Sequence, residues 1–470
     1  MKQTDLNNDL DSSATAKVAA LKAPSHYGDP AAIGTAVERA LAALALAPDF
    51  IRPGDRIVLK PNWVKEHDER FPGPDRWEHV VTHPVVIEAV TRWAATRLEG
   101  RGSIVICDAP QTDSSFAKLR SYCALDEMLA RCRTAFPGIN IDLLDLRPEE
   151  WKAIDGVVVA KTKLAGDPLG SAHVRLDAAS EFVGYLGQGR LYGASYDMAE
   201  TNRMHQGERH EYLLCGTPMA ADVFINLPKL KTHKKVGITC ALKNLVGINA
   251  NKNWLPHHTE GTPDQGGDQF PKATTKARLE HAWMGRAKRW LKGRSALSRL
   301  FVPVKKAGRL VFGDTQKVVR SGNWHGNDTC WRMVLDLNKC LFFFDRTGQP
   351  RKKPIRYLAV VDGIVGGEGN GPMAPDAKPC GVIVAGTHPA AVDAVAATLM
   401  GFEWRKIWLL KNSFQMRAMS FTPFTAEQIE VISDHAAWSG QIDHLEDTFD
   451  FRPHFGWAGA IERDRQSLSV

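Results

Sequence analysis

Between Asn226 and Lys252 the chain reads NLPKLKTHKKVGITCALKNLVGINANK, placing six lysines around one histidine. Ammonium groups suit phosphate or carboxylate ligands, and crowding by other cations lowers a lysine's pKa towards the range of a useful base. Lys229 and Lys231 are candidate anion binders, with Asn244 to orient the ligand. His233 suits proton relay near neutral pH. Most charge runs are solvated faces, and that reading fits Lys234 and Lys235. It fits Lys243 poorly, because Lys243 and Asn244 interrupt an apolar helical pattern, ALKNLVGI. Lys243 and His233 are therefore the candidate acid and base.

Other chemistry-bearing residues follow apolar runs. IVL ends in Lys60-Pro61-Asn62, IVIC ends in Asp108, and YLAVV ends in Asp362. If these runs are parallel strands, their carboxyl ends gather Lys60, Asn62, Asp108, Lys229, Lys231, His233 and Asp362 along one edge, where open α/β sheets bind ligands. DGIVGGEGNGP reads as a glycine-rich loop that could approach an anion or be a long turn, and it matches no nucleotide fingerprint. Glu368, an acid amid glycines, is a candidate base or metal ligand. Asp393 interrupts an Ala/Val helix and needs a partner, either a lysine or a loop that it caps. His257, His258, Asp264 and Asp268 are a weak oxygen and nitrogen ligand set for a divalent metal, at no standard spacing.

The elements that must position these residues alternate. PAAIGTAVERALAALALA reads as a helix over 30–47. A strand runs to Lys60. Thr82 is the expected cap of a helix from Pro84, and the strand SIVICDAP completes a βαβ unit. A helix over 122–133 and the strand INIDLLDL follow. The expected fold is α/β, with mostly parallel sheets in two Rossmann-like halves, an antiparallel β insertion and an irregular lid. The expected boundaries are a disordered leader over 1–17, a first α/β half over 18–150, and a β-rich insertion over 151–220. The second half starts over 221–254 and ends over 336–430, split by a lid with a basic helix over 255–335. A peripheral segment closes the chain over 431–470.

The bulk numbers narrow the class. The 470 residues are 44% hydrophobic and 24% charged, ordinary for a globular protein. No apolar run reaches the roughly 18 residues of a membrane span. The polar start MKQTDLNNDLDSSATAK lacks a secretory pattern. Eight cysteines form no C-x-x-C pair, which argues against an iron–sulfur cluster and for a reducing cytoplasm. From Lys276 to Arg309 eleven Lys or Arg face Glu280 alone, a surplus of 10 that exceeds the chain's net +7 and leaves the rest near −3. The basicity therefore belongs to one segment, and nucleic acid is not the expected partner. Its Trp283, Trp290, Leu291 and Phe301 suit a helix that packs on the domain, with weak membrane-surface contact as the alternative.

KPNWV, THPVVIEAV, the strand ending in DAP, INLPKLKTH, ALKNLVGI, VDGIVGGEGNGP and AGTHPAAVDAVAATLMG occur in order from about residue 55 to 402. Together they resemble the family of domain of unknown function 362 (DUF362). Some members carry ferredoxin-type cysteine motifs, which this chain lacks, so the resemblance implies no iron–sulfur role here. A looser similarity of layout to lactate racemase-like proteins is an analogy of fold alone.

The expected function is that of a cytoplasmic enzyme acting on a small carboxylate or phosphate-bearing molecule in a lysine-rich cleft. Proton transfer, as in an isomerase or racemase, is favoured over acyl or phosphoryl transfer. The alternative is a non-catalytic binding or assembly protein that meets a membrane surface or an acidic partner through its basic helix.

Overall fold

The protein is seen in a computed structural model that describes residues 15–154, 157–194, 197–272 and 318–464. The expected basic helix of 276–309 and the leader up to residue 14 lie outside the described residues.

Strand β1 (Ala16–Lys22) precedes helix α1 (Pro30–Ala43), which Asp29 caps by accepting from Ala32 N. Strand β2 (Arg56–Pro61), helix α2 (Pro84–Arg97) and strand β3 (Ser103–Asp108) form the expected βαβ unit, with β2 and β3 parallel. The cap of α2 is His83, whose Nδ1 accepts from Val85 N. Thr82 does not cap it, because its hydroxyl donates to Leu227 O at 2.6 Å and accepts from Asn62 N at 2.9 Å. Thr82 thus ties the end of β2 to a neighbouring strand. Helices α3 (Phe116–Tyr122) and α4 (Leu125–Ala135) lead to β4 (Asn140–Asp145), parallel to β3.

The next segment is antiparallel. Strands β5 (Glu149–Ile154) and β6 (Val157–Lys163) pair as a hairpin. Strand β7 (Ser171–Arg175), strand β8 (Leu191–Gly193), helix α5 (Met198–Met204), strand β9 (His205–Gln206) and strand β10 (Arg209–Cys215) follow, with β10 between β7 and β9. After the one-turn helix α6 (Gly216–Met219) come β11 (Val223–Leu227), β12 (Lys229–His233), β13 (Gly237–Thr239), the short helix α7 (Ala241–Asn244) and β14 (Pro256–Thr259). Helix α8 (Cys330–Phe343), strands β15 (Arg356–Asn370) and β16 (Ala374–Gly386), helix α9 (Pro389–Leu399) and strand β17 (Ile429–Ile432) complete the frame.

The fold class is α/β, built on one large, mostly parallel sheet. Strands expected in two separate halves meet in it, because β11 pairs with β2 on one side and β15 on the other. The βαβ pattern in a sequence reveals parallel pairing but not which strands become neighbours. Both faces of this sheet are covered, which explains the unbroken apolar runs. Val58, Phe224 and Tyr357 face a core that includes α8 and α9. Ile57, Val223 and Leu358, one residue away in each strand, face a core with α1, α2 and α4. Among the described residues no helix is long and apolar enough to cross a membrane.

Two stretches expected beyond strand ends are themselves strands. KLKTH is β12, parallel to β15 with Lys229 opposite Asp362. The glycine-rich DGIVGGEGN is the second half of β15, paired with β16 to its end. A Cβ on Gly366 would meet Phe451 Cζ at 2.8 Å and Leu230 O at 3.0 Å, and one on Gly367 would meet His79 O at 2.7 Å. These glycines let other chain segments lie directly on the strand.

Candidate functional site

The site opens where two strands part. β11 stays beside β2 as far as Leu227 opposite Pro61. After Pro228 the chain continues as β12 along β15, while β2 ends. Side chains from the ends of β2 and β3, from β12 and from the α7 turn fill the resulting gap. They line a cavity of about 420 Å³. Five lysines (60, 234, 235, 243 and 252) and three histidines (233, 257 and 258) border it, against three carboxylates, Glu69, Asp108 and Asp113. That imbalance makes the cavity electropositive. Trp151 and Val158 of the β5–β6 hairpin also line it.

At the sheet side, Lys60 is fully buried and pairs with Asp108 Oδ1 at 2.8 Å, and Asp108 Oδ2 accepts from Trp63 N. Asn244 organises this end. Its Oδ1 accepts from Asn62 Nδ2 at 2.8 Å and Lys60 Nζ at 3.2 Å, and its Nδ2 donates to Lys60 O and Asn226 Oδ1. Asn244 is therefore saturated, and it fixes the amide of Asn62 so that Asn62 Oδ1 is left over. Among the described residues, Asn62 Oδ1 and Thr239 Oγ1 are both buried without a hydrogen-bond partner, and both residues border the cavity. Buried polar groups are rarely left so.

Lys243 also lines the cavity. It is 8% exposed, and among the described residues its ammonium has neither a hydrogen bond nor an ion pair. Burial holds its pKa below the usual lysine value, and the charges of Lys60 and Lys234 add to that. α7 keeps Lys243 in place because Asp393 accepts from Ala241 N at 2.6 Å and Leu242 N at 2.9 Å. Asp393 thus caps a short helix, where a lysine or a loop was the expected partner.

The two nearby imidazoles are complementary. His233 Nδ1 accepts from Lys235 N at 3.1 Å, so its proton resides on Nε2. His257 Nδ1 lies 2.9 Å from Leu255 O, which can only accept, so its Nε2 carries the lone pair. Burial, then the charge of Lys243, pushes both rings well below the ordinary histidine pKa, so both are neutral at pH 7. A neutral His233 offers a donor and a neutral His257 a base.

Lys229, Lys231 and Asp362 do not border this cavity. Lys229 Nζ donates to Asp362 Oδ2 at 3.0 Å and to Tyr27 Oη at 2.5 Å, and Tyr27 Oη donates to Asp362 Oδ1 at 2.7 Å. The three form a closed buried knot under α1 and α2. Lys231 donates to Val80 O. Glu368 is also elsewhere, held by Arg452 N at 2.9 Å and Nε at 3.0 Å. Of the metal candidates, His257 and His258 reach the cavity, Asp264 is exposed, and Asp268 is bound by Thr259 N and Thr329. The four are not brought together, and among the described residues no group of three or more His, Cys, Asp or Glu is arranged around a metal position.

Lys234 and Lys235, expected on a solvated face, stand on the cavity wall together with Lys252. Lys235 Nζ donates to Ser321 O and His257 O, and Lys252 Nζ donates to Ala109 O at 2.8 Å. Burial lowers both to a pKa of about 8. Nothing in their local sequence separates them from surface lysines.

Residues 184–398 match the family model described as Domain of unknown function (DUF362). The match covers less than half of the chain. It supplies β11, β12, α7, β14 and β15, and hence Lys243, His233 and His257, but not Lys60, Asn62 or Asp108. No curated protein matches the chain.

Proposed function

We propose that this cavity binds a small carboxylate or phosphate ester and moves a proton beside its carbonyl group, as an isomerase or racemase does. The observation that carries the reading is Lys243, a buried amine without a partner among the described residues, in a cavity with four other lysines and a neutral histidine base. In this reading Lys234, Lys235 and Lys252 attract the anion, and Asn62 and Thr239 offer their unused oxygens to a substrate hydroxyl. His233 donates to the substrate oxygen, and His257 or Lys243 accepts the proton. The partner is a small anion and not a nucleic acid. The eight unpaired cysteines accord with a reducing cytoplasm.

The test has two parts. Oxalate and inorganic phosphate are titrated calorimetrically into the full-length protein at low and physiological salt. Binding should weaken with salt and fall at least tenfold in Lys234→Met. Small 2-hydroxy and 2-oxo acids are then incubated with the protein in D2O, with α-proton exchange followed by NMR. Exchange should be lost in His257→Gln. Absence of any anion binding at low salt would end this reading.

A further inference from the structure

Three other lysines are fully buried next to an acid. Lys60 has Asp108 at 2.8 Å, Lys229 has Asp362 at 3.0 Å, and Lys339 has Glu181 at 2.6 Å. Lys231, equally buried, has the Val80 carbonyl. Lys243 has no acceptor among the described residues, and the charges it feels include those of two more amines, Lys60 and Lys234. An unpaired ammonium is costly in such a place, and burial shifts the balance towards the neutral amine and its lone pair. A lysine needed only for charge is better paired. A lysine needed as a nucleophile works when desolvated and set among other cations.

We propose that Lys243 forms an imine with the carbonyl carbon of its substrate, which makes the substrate a small aldehyde or ketone bearing a carboxylate or phosphate. The proposal rests on the anion-binding reading above. The Lys243 lone pair attacks the carbonyl carbon, a C–N bond forms, and the C=O π pair moves to oxygen, where His233 Nε2–H donates. His257 Nε2 takes a proton from the nitrogen and returns it to the oxygen, giving a neutral carbinolamine. The hydroxyl then leaves as water as the nitrogen loses its second proton, again through His257. The amine and the carbonyl become an imine and one water, and neither histidine changes overall. No oxidant or reductant is needed. Once protonated, the imine draws electrons from the adjacent C–H bond and makes that proton acidic.

Glyoxylate, the smallest oxo acid, tests this in the full-length protein, since size cannot exclude it from a cavity of about 420 Å³. The protein is treated with glyoxylate and cyanoborohydride at pH 7, and peptides are mapped by mass spectrometry. The imine is trapped as carboxymethyl-lysine. Trapping on Lys243 at least tenfold faster than on the exposed Lys118, slowed by oxalate, is the expected result. Oxalate binding without preferential modification of Lys243 overturns the imine and leaves the anion-binding reading standing. Neither oxalate binding nor modification of Lys243 overturns both.

Discussion

Lys60 and Asp108 project from the ends of two adjacent parallel strands and meet at 2.8 Å with almost no access to water. Gly247 passes directly over them. A Cβ there would lie 2.6 Å from Lys60 Nζ and closer still to Asp108 Oδ1. Gly247→Ala therefore forces the buried pair apart. Overpacking typically costs about 1–3 kcal/mol, and breaking a buried pair costs roughly 3–5. Chemical denaturation should show a loss within that span. An unchanged midpoint would mean that the pair does not lie under Gly247.

Lys243→Met should act in the opposite direction. It removes a buried amine for which the fold supplies no acceptor and puts an apolar chain in its place. Functional sites commonly sacrifice stability in this way. The melting temperature should rise by about 1 °C, equivalent to roughly 1 kcal/mol in a chain of this length, while trapping by glyoxylate disappears. A marked fall would mean that Lys243 has a structural partner.

Anion binding should take up protons near pH 8. Lys235 and Lys252 both lose their protons near that pH, because burial disfavours their charged forms. A bound anion restores charge to them, so affinity should decline as pH rises through about 8. Calorimetry in two buffers of different ionisation enthalpy gives the proton count directly. Equal heats in both buffers at pH 8 would contradict the placement of these two amines around the ligand. Without ligand the sign for folding is opposite. The unfolded chain binds more protons between about 8 and the ordinary lysine value, so these two groups make folding more favourable as pH rises through that window.

Asp393 sets a second pH dependence. Its burial beneath α7 raises its pKa to about 7, against the two backbone N–H groups that favour its charge. Between about pH 4 and 7 the folded protein holds a proton that the unfolded chain has released. Stability from this group is therefore greatest below pH 4 and declines up to about 7. Asp393→Asn removes that slope. Wild type should gain on the variant by roughly 1–4 kcal/mol as pH falls from 7.5 to 4.5. Parallel stability curves would show that Asp393 remains ionised throughout.

Much of the frame was readable because covered parallel strands must be apolar on both faces, so β2, β3, β11 and β15 stand out as unbroken runs. Lys243 was readable for the complementary reason, as a charge in an apolar helical pattern. Lys229 and Lys231 show the same kind of signal, yet the fold sends them to Asp362 and Val80. A charge among apolar residues reveals burial but not its partner. The glycine-rich stretch misled because glycine permits both a loop and a strand pressed under other chain segments. Thr82 and His83 both have capping side chains, and only the approach of Leu227 decides between them. His257 was visible as a side chain, but its role depends on the Leu255 carbonyl that fixes its tautomer.

The pairing of β11 with β2 has a consequence for dissection of the chain. The residues matching the family model begin at 184, whereas β11 is zipped along β2 from Val223 opposite Ile57 to Leu227 opposite Pro61. Cutting at the boundary of the match would strip a central strand of one neighbour and leave its N–H and C=O groups without their ladder. The matched segment is thus not a unit of folding. A fragment beginning at 184 should be aggregation-prone, and co-expression with residues 1–183 should restore it to solution by supplying the missing edge.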